Sequence, residues 1–594
     1  MQKIDRLGDA AGRSGGRCQG RFVVGRAGLA LAMAAVLVSG CASTRGGQNI
    51  ACRGFDDFAL EPRPHAIISD IQRYGVENRG VEAPSEPAAK TGAPSAMDEV
   101  IGDTAFGMNE DQLKREGSRL RTAYDRAITP SAKNTIVVRS TLAPRNVLLL
   151  SGGGQWGAYG AGLFLGMVCR QEVSTAYDAD AVPCLLDTPE GKRVIVDDEG
   201  AIDFGPLDAM DIGVITGVST GSLQSLLLMV VLDRSQLRKT RIAALQQMLD
   251  SYAPADQSEL VDYDGFGAVI LQGSVAGTDE LRGHVGRVLE SRWGFRDGVR
   301  QADGGYAGDP FPDRRLVDQI AHSPITTMVG IVQGHDGNFR SVNMKRMVSE
   351  IQPDDGDGGN PQTSEAVDCV LATTLASSAM PVFHQQLRVV EEAGASDDDP
   401  GVTLFDGGVR RSVFISELGE AFARRYATLV SSLGRELYSL LDQNQKLPRM
   451  YVLRNGPTTA VFEPEVDRVD NAIVQALRAY ELLVNELEVS SIASLRLANP
   501  YGTILLSTAD GSENKEFLPG DAPGKPVAGA RRPGCKKNGE MFDPEFMVCL
   551  QNFGIRRGMT LEVDKHGQTI PAFWPLSEIA ERPGVTVSEP ANDN

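Results

Sequence analysis

From Val147 to Leu150 the chain is apolar without interruption, the pattern of a strand covered on both faces. A glycine cluster follows, then an apolar stretch with helical character over Ala158 to Val168. The same succession recurs further on. A strand over Ile212 to Ile215 runs into Thr216-Gly217 and an apolar helix over Leu223 to Leu232. Further strands are predicted at Thr326 to Val332, Val402 to Phe405 and Met450 to Leu453, with long helices between them over 413–443 and 470–498. Strands alternating with helices predict the α/β class: a mostly parallel sheet flanked by helices on both faces. Polar Gly/Asp-rich stretches at 296–314, 351–363 and 391–401 break this pattern and read as surface insertions. Asp354-Asp355-Gly356-Asp357 lacks the ligand spacing and closing Glu of a calcium loop, so it reads as solvated.

The chain before residue 144 has a different character. A charged helix is predicted over Glu110 to Ala127, and 85–97 (APSEPAAKTGAPS) is a low-complexity tether. Basic residues Arg13, Arg17, Arg21 and Arg26 lead into an apolar run, Ala27 to Val38, too short to span a bilayer. A basic segment followed by a short apolar one is the form of a secretory signal. It ends in Val38-Ser39-Gly40-Cys41, which resembles a bacterial lipobox. The resemblance implies cleavage before Cys41, lipidation of that Cys, and an outer-membrane lipoprotein, since Ala42 rather than Asp follows. A periplasmic protein with an ordinary signal peptide is the alternative. The expected organisation is a signal peptide at 1–40, an anchor-proximal linker at 41–143, a catalytic domain at 144–510 and a C-terminal extension at 511–594.

Charge sharpens this reading. The chain carries a formal charge of −19, and its first 40 residues are net basic, so the body is more acidic still. Such a body has no attraction for nucleic acid or anionic headgroups. Membrane attachment is expected through a lipid anchor, and more than one acyl chain makes that stable. Cysteine usage agrees with an oxidising compartment. Cys169 with Cys184, and Cys535 with Cys549, bracket short stretches that local disulfides would close, whereas Cys369, in the apolar run Val367 to Leu371, reads as a buried thiol. With neither a C-x-x-C motif nor a His/Cys cluster, no zinc site and no cofactor is expected.

Three motifs carry candidate chemistry. Gly217-Val218-Ser219-Thr220-Gly221 fits G-x-S-x-G between a strand and an apolar helix, the setting of a nucleophile elbow. Ser151-Gly152-Gly153-Gly154-Gln155-Trp156-Gly157 places consecutive glycines after a strand, where their N–H groups can converge as an oxyanion hole. The spacing also satisfies the dinucleotide fingerprint G-x-G-x-x-G, but no second strand ending in an acidic residue follows. The third motif supplies a base. Asp-Gly-Gly occurs at 303, 357 and 406, and only Asp406 follows an apolar strand that would hold it rigidly.

A glycine-rich loop, then G-x-S-x-G, then D-G-G, in this order and on these elements, resembles the patatin-like phospholipase family. Ala376-Ser377-Ser378-Ala379-Met380-Pro381 and the segment from Met450 to Gly456 resemble family segments as well. The resemblance covers roughly 144–510. It implies a modified α/β hydrolase fold and calcium-independent cleavage of acyl esters in lipids. Ser219 would be the nucleophile, Asp406 the base, and Gly152, Gly153 and Gly154 the oxyanion loop. The chain departs from the family at Trp156, where many members carry Arg or Lys, and after Gly408, where no Asn-Pro pair follows. Two alternatives stand beside this reading. One is a non-catalytic lipid-binding lipoprotein; the other is a Ser-Asp-His triad esterase using His566, one of six histidines.

Overall fold

The computed structural model describes residues 48–60, 110–138, 144–169, 184–188, 192–197, 200–261, 274, 276–294, 313–351, 362–381, 383–391, 401–415, 418–441, 447–458, 472–499, 503–513, 516–519, 526–532, 534–537, 542–560 and 571–576. The expected signal peptide, Cys41, the tether at 85–97, most of the three insertions and His566 lie outside these residues.

Eleven strands form one mixed sheet. In chain order they are β1 (Gln48–Ala51), β2 (Ala59–Leu60), β3 (Asn146–Leu150), β4 (Ile212–Val218), β5 (Thr326–Gln333), β6 (Phe339–Asn343), β7 (Leu387–Val390), β8 (Val402–Asp406), β9 (Met450–Arg454), β10 (Ile504–Thr508) and β11 (Trp574–Pro575). Their spatial order is β1-β7-β8-β5-β4-β3-β9-β10-β11, with β6 against β5 and β2 against β6. The run β5-β4-β3-β9-β10 is parallel throughout. The main helices are α1 (Glu110–Arg126), α2 (Gly157–Val168), α3 (Thr220–Leu232), α4 (Gln362–Ser378), α5 (Leu418–Leu433), α6 (Ala472–Ala498) and α7 (Pro544–Gly558).

Alternation along β3 divides the core into two layers. Leu148 and Leu150 enter the cluster that holds α2, α3 and α7, while Val147 and Leu149 enter a second cluster with Ile492 and Leu495 of α6. Every residue of β4 and of α3 is buried, which is why both are dominated by apolar residues and carry no charge. The long helix expected over 413–443 is divided at Gly434, whose φ of 77° ends α5 before a short helix over Arg435–Leu440.

The segments flanking 144–510 are tied into this body. β1 pairs in parallel with β7, and Ile50, Phe55 and Phe58 are buried. Charged α1 docks through Leu113 onto Leu429 and Leu433. Near the other end α7 lies against α2 at backbone contact. A Cβ on Gly162 would stand 2.1 Å from the Gln551 carbonyl oxygen, and one on Gly554 would stand 2.2 Å from that of Tyr159. Only glycine permits that approach.

The cysteines correct one expectation. Cys169–Cys184 and Cys535–Cys549 are bonded, with Cα atoms 5.6 Å apart in each pair. Cys369 is buried, yet it is no free thiol: it bonds to Cys52 across 317 residues of sequence. The partner lies in a segment whose few apolar residues are too sparse to read as part of the core.

Candidate active site

The site lies where two strands meet end to end. On one edge β5 pairs with β6 over residues 328–332. Its other edge is shared: residues 326–330 pair with parallel β4, and 331–333 pair with antiparallel β8. β4 and β8 therefore approach one another along the same edge, with Val218 opposite Gly330 and Asp406 opposite Ile331. Ser219, the residue after β4, and Asp406, the last of β8, face each other across this junction. The Ser219 side chain is near enough to the Asp406 carboxyl to favour its charged form, as a hydrogen-bond donor does. Gly407 makes the meeting possible, since a Cβ there would stand 2.5 Å from the Gly330 carbonyl oxygen.

Ser219 has φ 54° and ψ −127°, a conformation rare for a residue with a side chain, and it caps α3 at its N-terminus. The flanking glycines are small because the turn is tight. A Cβ on Gly217 would be 2.3 Å from the Gly221 carbonyl oxygen, and one on Gly221 would be 2.6 Å from that of Leu150. The Ala376–Pro381 segment fixes both ends of the junction. Buried Ser377 Oγ accepts from the Ser219 N–H at 2.8 Å and donates to the Gly330 carbonyl at 2.7 Å, while the Ala379 carbonyl accepts from the Asp406 N–H at 3.0 Å.

Asp406 is 2% exposed. Burial disfavours its charged form and pushes its pKa up to about 7. Hydrogen bonds from the Gly408 N–H, at 2.7 Å, and from Ser219 pull the other way, and the Glu488 carboxylate adds to the rise. A carboxyl that holds its proton to near neutrality is suited to accept and return one at a reacting centre.

The glycine loop stands beside Ser219. The position of a Cβ on Gly152 is 3.1 Å from Ser219 Cβ. Gly153, at φ 141°, turns the chain against Asn455, whose carbonyl oxygen would be 2.0 Å from a Cβ there. Asn455 also donates from its backbone N–H to Ser151 Oγ and from Nδ2 to the Ser151 carbonyl, both at 2.9 Å. From the opposite side Gln155 Oε1 accepts the Asp543 N–H at 3.0 Å. Trp156, where a basic residue was expected by resemblance, turns its ring edge to Phe546 of α7 at 5.0 Å. Among the described residues no histidine hydrogen-bonds to Ser219 or Asp406.

Sequence reasoning missed Glu488 and the buried Arg454 that pairs with it at 3.1 Å. A signal for Glu488 does exist. It lies on the buried stripe of α6 with Ile492 and Leu495, where an acid interrupts an apolar face.

Residues 148–418 match the family model described as patatin-like phospholipase. Among solved structures, the chain is similar to VipD from Legionella pneumophila at 13% identity, with a TM-score of 0.19 over 59% of this chain and 55% of that one. It thus spans about half the length of that chain, and so slight a likeness carries no argument. No match was found among the curated proteins. Residues 148–418, set within a large mixed sheet flanked by helices, are thus a patatin-like phospholipase domain, of a kind associated with lipid acyl hydrolysis.

Proposed function

We propose that the chain is a membrane-anchored serine acyl hydrolase of the phospholipase A or lysophospholipase type, working through a Ser219–Asp406 dyad. The observation that carries this reading is the head-on meeting of β4 and β8, which sets the Ser219 hydroxyl against a buried carboxyl with a pKa near 7. In the reaction Asp406 takes the hydroxyl proton as Ser219 Oγ bonds to the acyl carbonyl carbon, and the carbonyl π pair moves to oxygen. N–H groups of Gly152, Gly153 and Gly154 and the N-terminus of α3 stabilise that oxyanion. Collapse of the intermediate breaks the bond to the alcohol oxygen, which receives the proton from Asp406. Water, deprotonated by the same carboxylate, then releases the fatty acid and restores the serine.

The membrane enters twice, as the source of substrate and as the site of an anchor at acylated Cys41. Three disulfides among the described residues agree with an exported protein, and the outer membrane is the proposed location.

Purified protein should hydrolyse a short p-nitrophenyl ester and release fatty acid from phospholipid. A fluorophosphonate should label Ser219, and Ser219→Ala and Asp406→Asn should each abolish turnover while the protein stays folded. Folded wild-type protein that is inert toward esters and the probe would favour a lipid-binding role. Full activity in Asp406→Asn with loss in His566→Ala would favour the triad. Mass spectrometry of the mature N-terminus checks the anchor: an unmodified N-terminus elsewhere than Cys41 removes it.

A further inference from the structure

Arg454 ends β9 beside the glycine loop and is 1% exposed. Its Nε and Nη2 donate to Glu488 Oε2 at 3.2 and 3.1 Å, and Nη2 also donates to Asn485 Oδ1 at 2.6 Å. The pair thus consumes one Glu488 oxygen. The other, Oε1, lies 3.8 Å from the position a Cβ on Gly152 would take, and that position is 3.7 Å from Ser219 Oγ. Gly152 is therefore the point at which the Glu488 carboxylate and the nucleophile converge.

A buried ion pair is poor evidence of stabilisation, because desolvating both ions offsets most of their attraction. Its placement beside a reacting hydroxyl calls for a functional account. We propose that Glu488, held by Arg454, is a positioning residue of the dyad: its fixed negative charge beside Ser219 and Asp406 favours arrival of the serine proton on Asp406. Glu488 itself takes no proton in the reaction. The proposal rests on the Ser219–Asp406 reading. It adds to that reading a residue on α6, outside the matched residues 148–418.

Asp406 faces the charge of Glu488, and Glu488 faces Arg454, with burial acting on both. Glu488 raises the proton affinity of Asp406, the direction that the proposal requires. Arg454 is attached to the far side of Glu488, so it orients that carboxylate.

The test is the pH profile of kcat/KM for a p-nitrophenyl ester, measured on wild type and Glu488→Gln. In wild type, activity should rise through the ionisation of Asp406. In Glu488→Gln the acid limb should move to lower pH by on the order of one unit, and the plateau kcat should fall while KM holds. The double variant Glu488→Gln/Arg454→Met removes both charges, so no unpaired ion remains buried, and its acid limb should move the same way. If Ser219 is labelled by fluorophosphonate and both variants turn over with the wild-type profile, Glu488 has no such role and the dyad reading survives. If Ser219 is not labelled in folded wild-type protein, the dyad reading fails and this proposal falls with it.

Discussion

Ser219 holds its φ of 54° without being glycine, and such backbone costs on the order of 1–3 kcal/mol. The Ser377 hydrogen bond to its N–H helps to hold it there. The strain and the chemistry can be separated. Ser219→Ala and Ser219→Gly should both be inactive, but the glycine variant should be the more stable of the two by about 1 kcal/mol in denaturant unfolding. Asp406 makes a second demand on stability. Its folded-state carboxyl keeps a proton up to about pH 7, whereas the unfolded group releases it near 3.8. Between those values the folded state binds more protons, so stability falls as pH rises through that window, by on the order of 4 kcal/mol at most. Asp406→Asn should therefore unfold at higher denaturant than wild type at pH 8, and the two should agree closely at pH 4. Equal midpoints at pH 8 would show that burial does not penalise the charge.

At the level of elements, the Ala376–Pro381 segment joins the two halves of the site. Ser377→Ala would leave the Ser219 N–H and the Gly330 carbonyl without their buried partner, a loss of about 1–3 kcal/mol in stability. Fluorophosphonate labelling of Ser219 should slow at the same time, and labelling at the wild-type rate would mean that the elbow keeps its shape unaided. Much of this scale was legible in sequence. The apolar-rich runs at Val147, Ile212 and Thr326 marked the central strands because burial on both faces leaves few polar positions and no charged one. Asp406 stood out from its two look-alikes because only it followed an apolar strand. The pairing that brings it to Ser219 was not legible, since periodicity says nothing of which edge of β5 a strand joins or in which direction. Glu488 was hidden for a related reason: one acid on a 27-residue helix has meaning only once its inward face is known. Cys52 directly follows a strand only four residues long, too short for any pattern to mark it.

The whole molecule is bound together by contacts between distant parts of the chain. Cys52–Cys369 fastens the N-terminal strand to α4, which also carries Ser377. Replacing both cysteines by serine should lower stability by about 2–4 kcal/mol in denaturant unfolding. It should alter ester hydrolysis little at temperatures where the protein remains folded. α7 has the same relation to the glycine loop from the other end of the chain. Its Phe546 meets Trp156, and Asp543, which caps it, bonds to Gln155. A chain stopped after residue 541 should consequently fail to label with fluorophosphonate, and full labelling would show that the loop is stable without this support. That support is made well after the residues it supports. The ribosome completes both Ser219 and Asp406 long before it reaches Pro544, so a nascent chain carries the proposed dyad before it has the helix that contacts the glycine loop. A chain released between those two points would carry Ser219 and Asp406 without α7 against the glycine loop, and should be as silent toward fluorophosphonate as the chain stopped after residue 541.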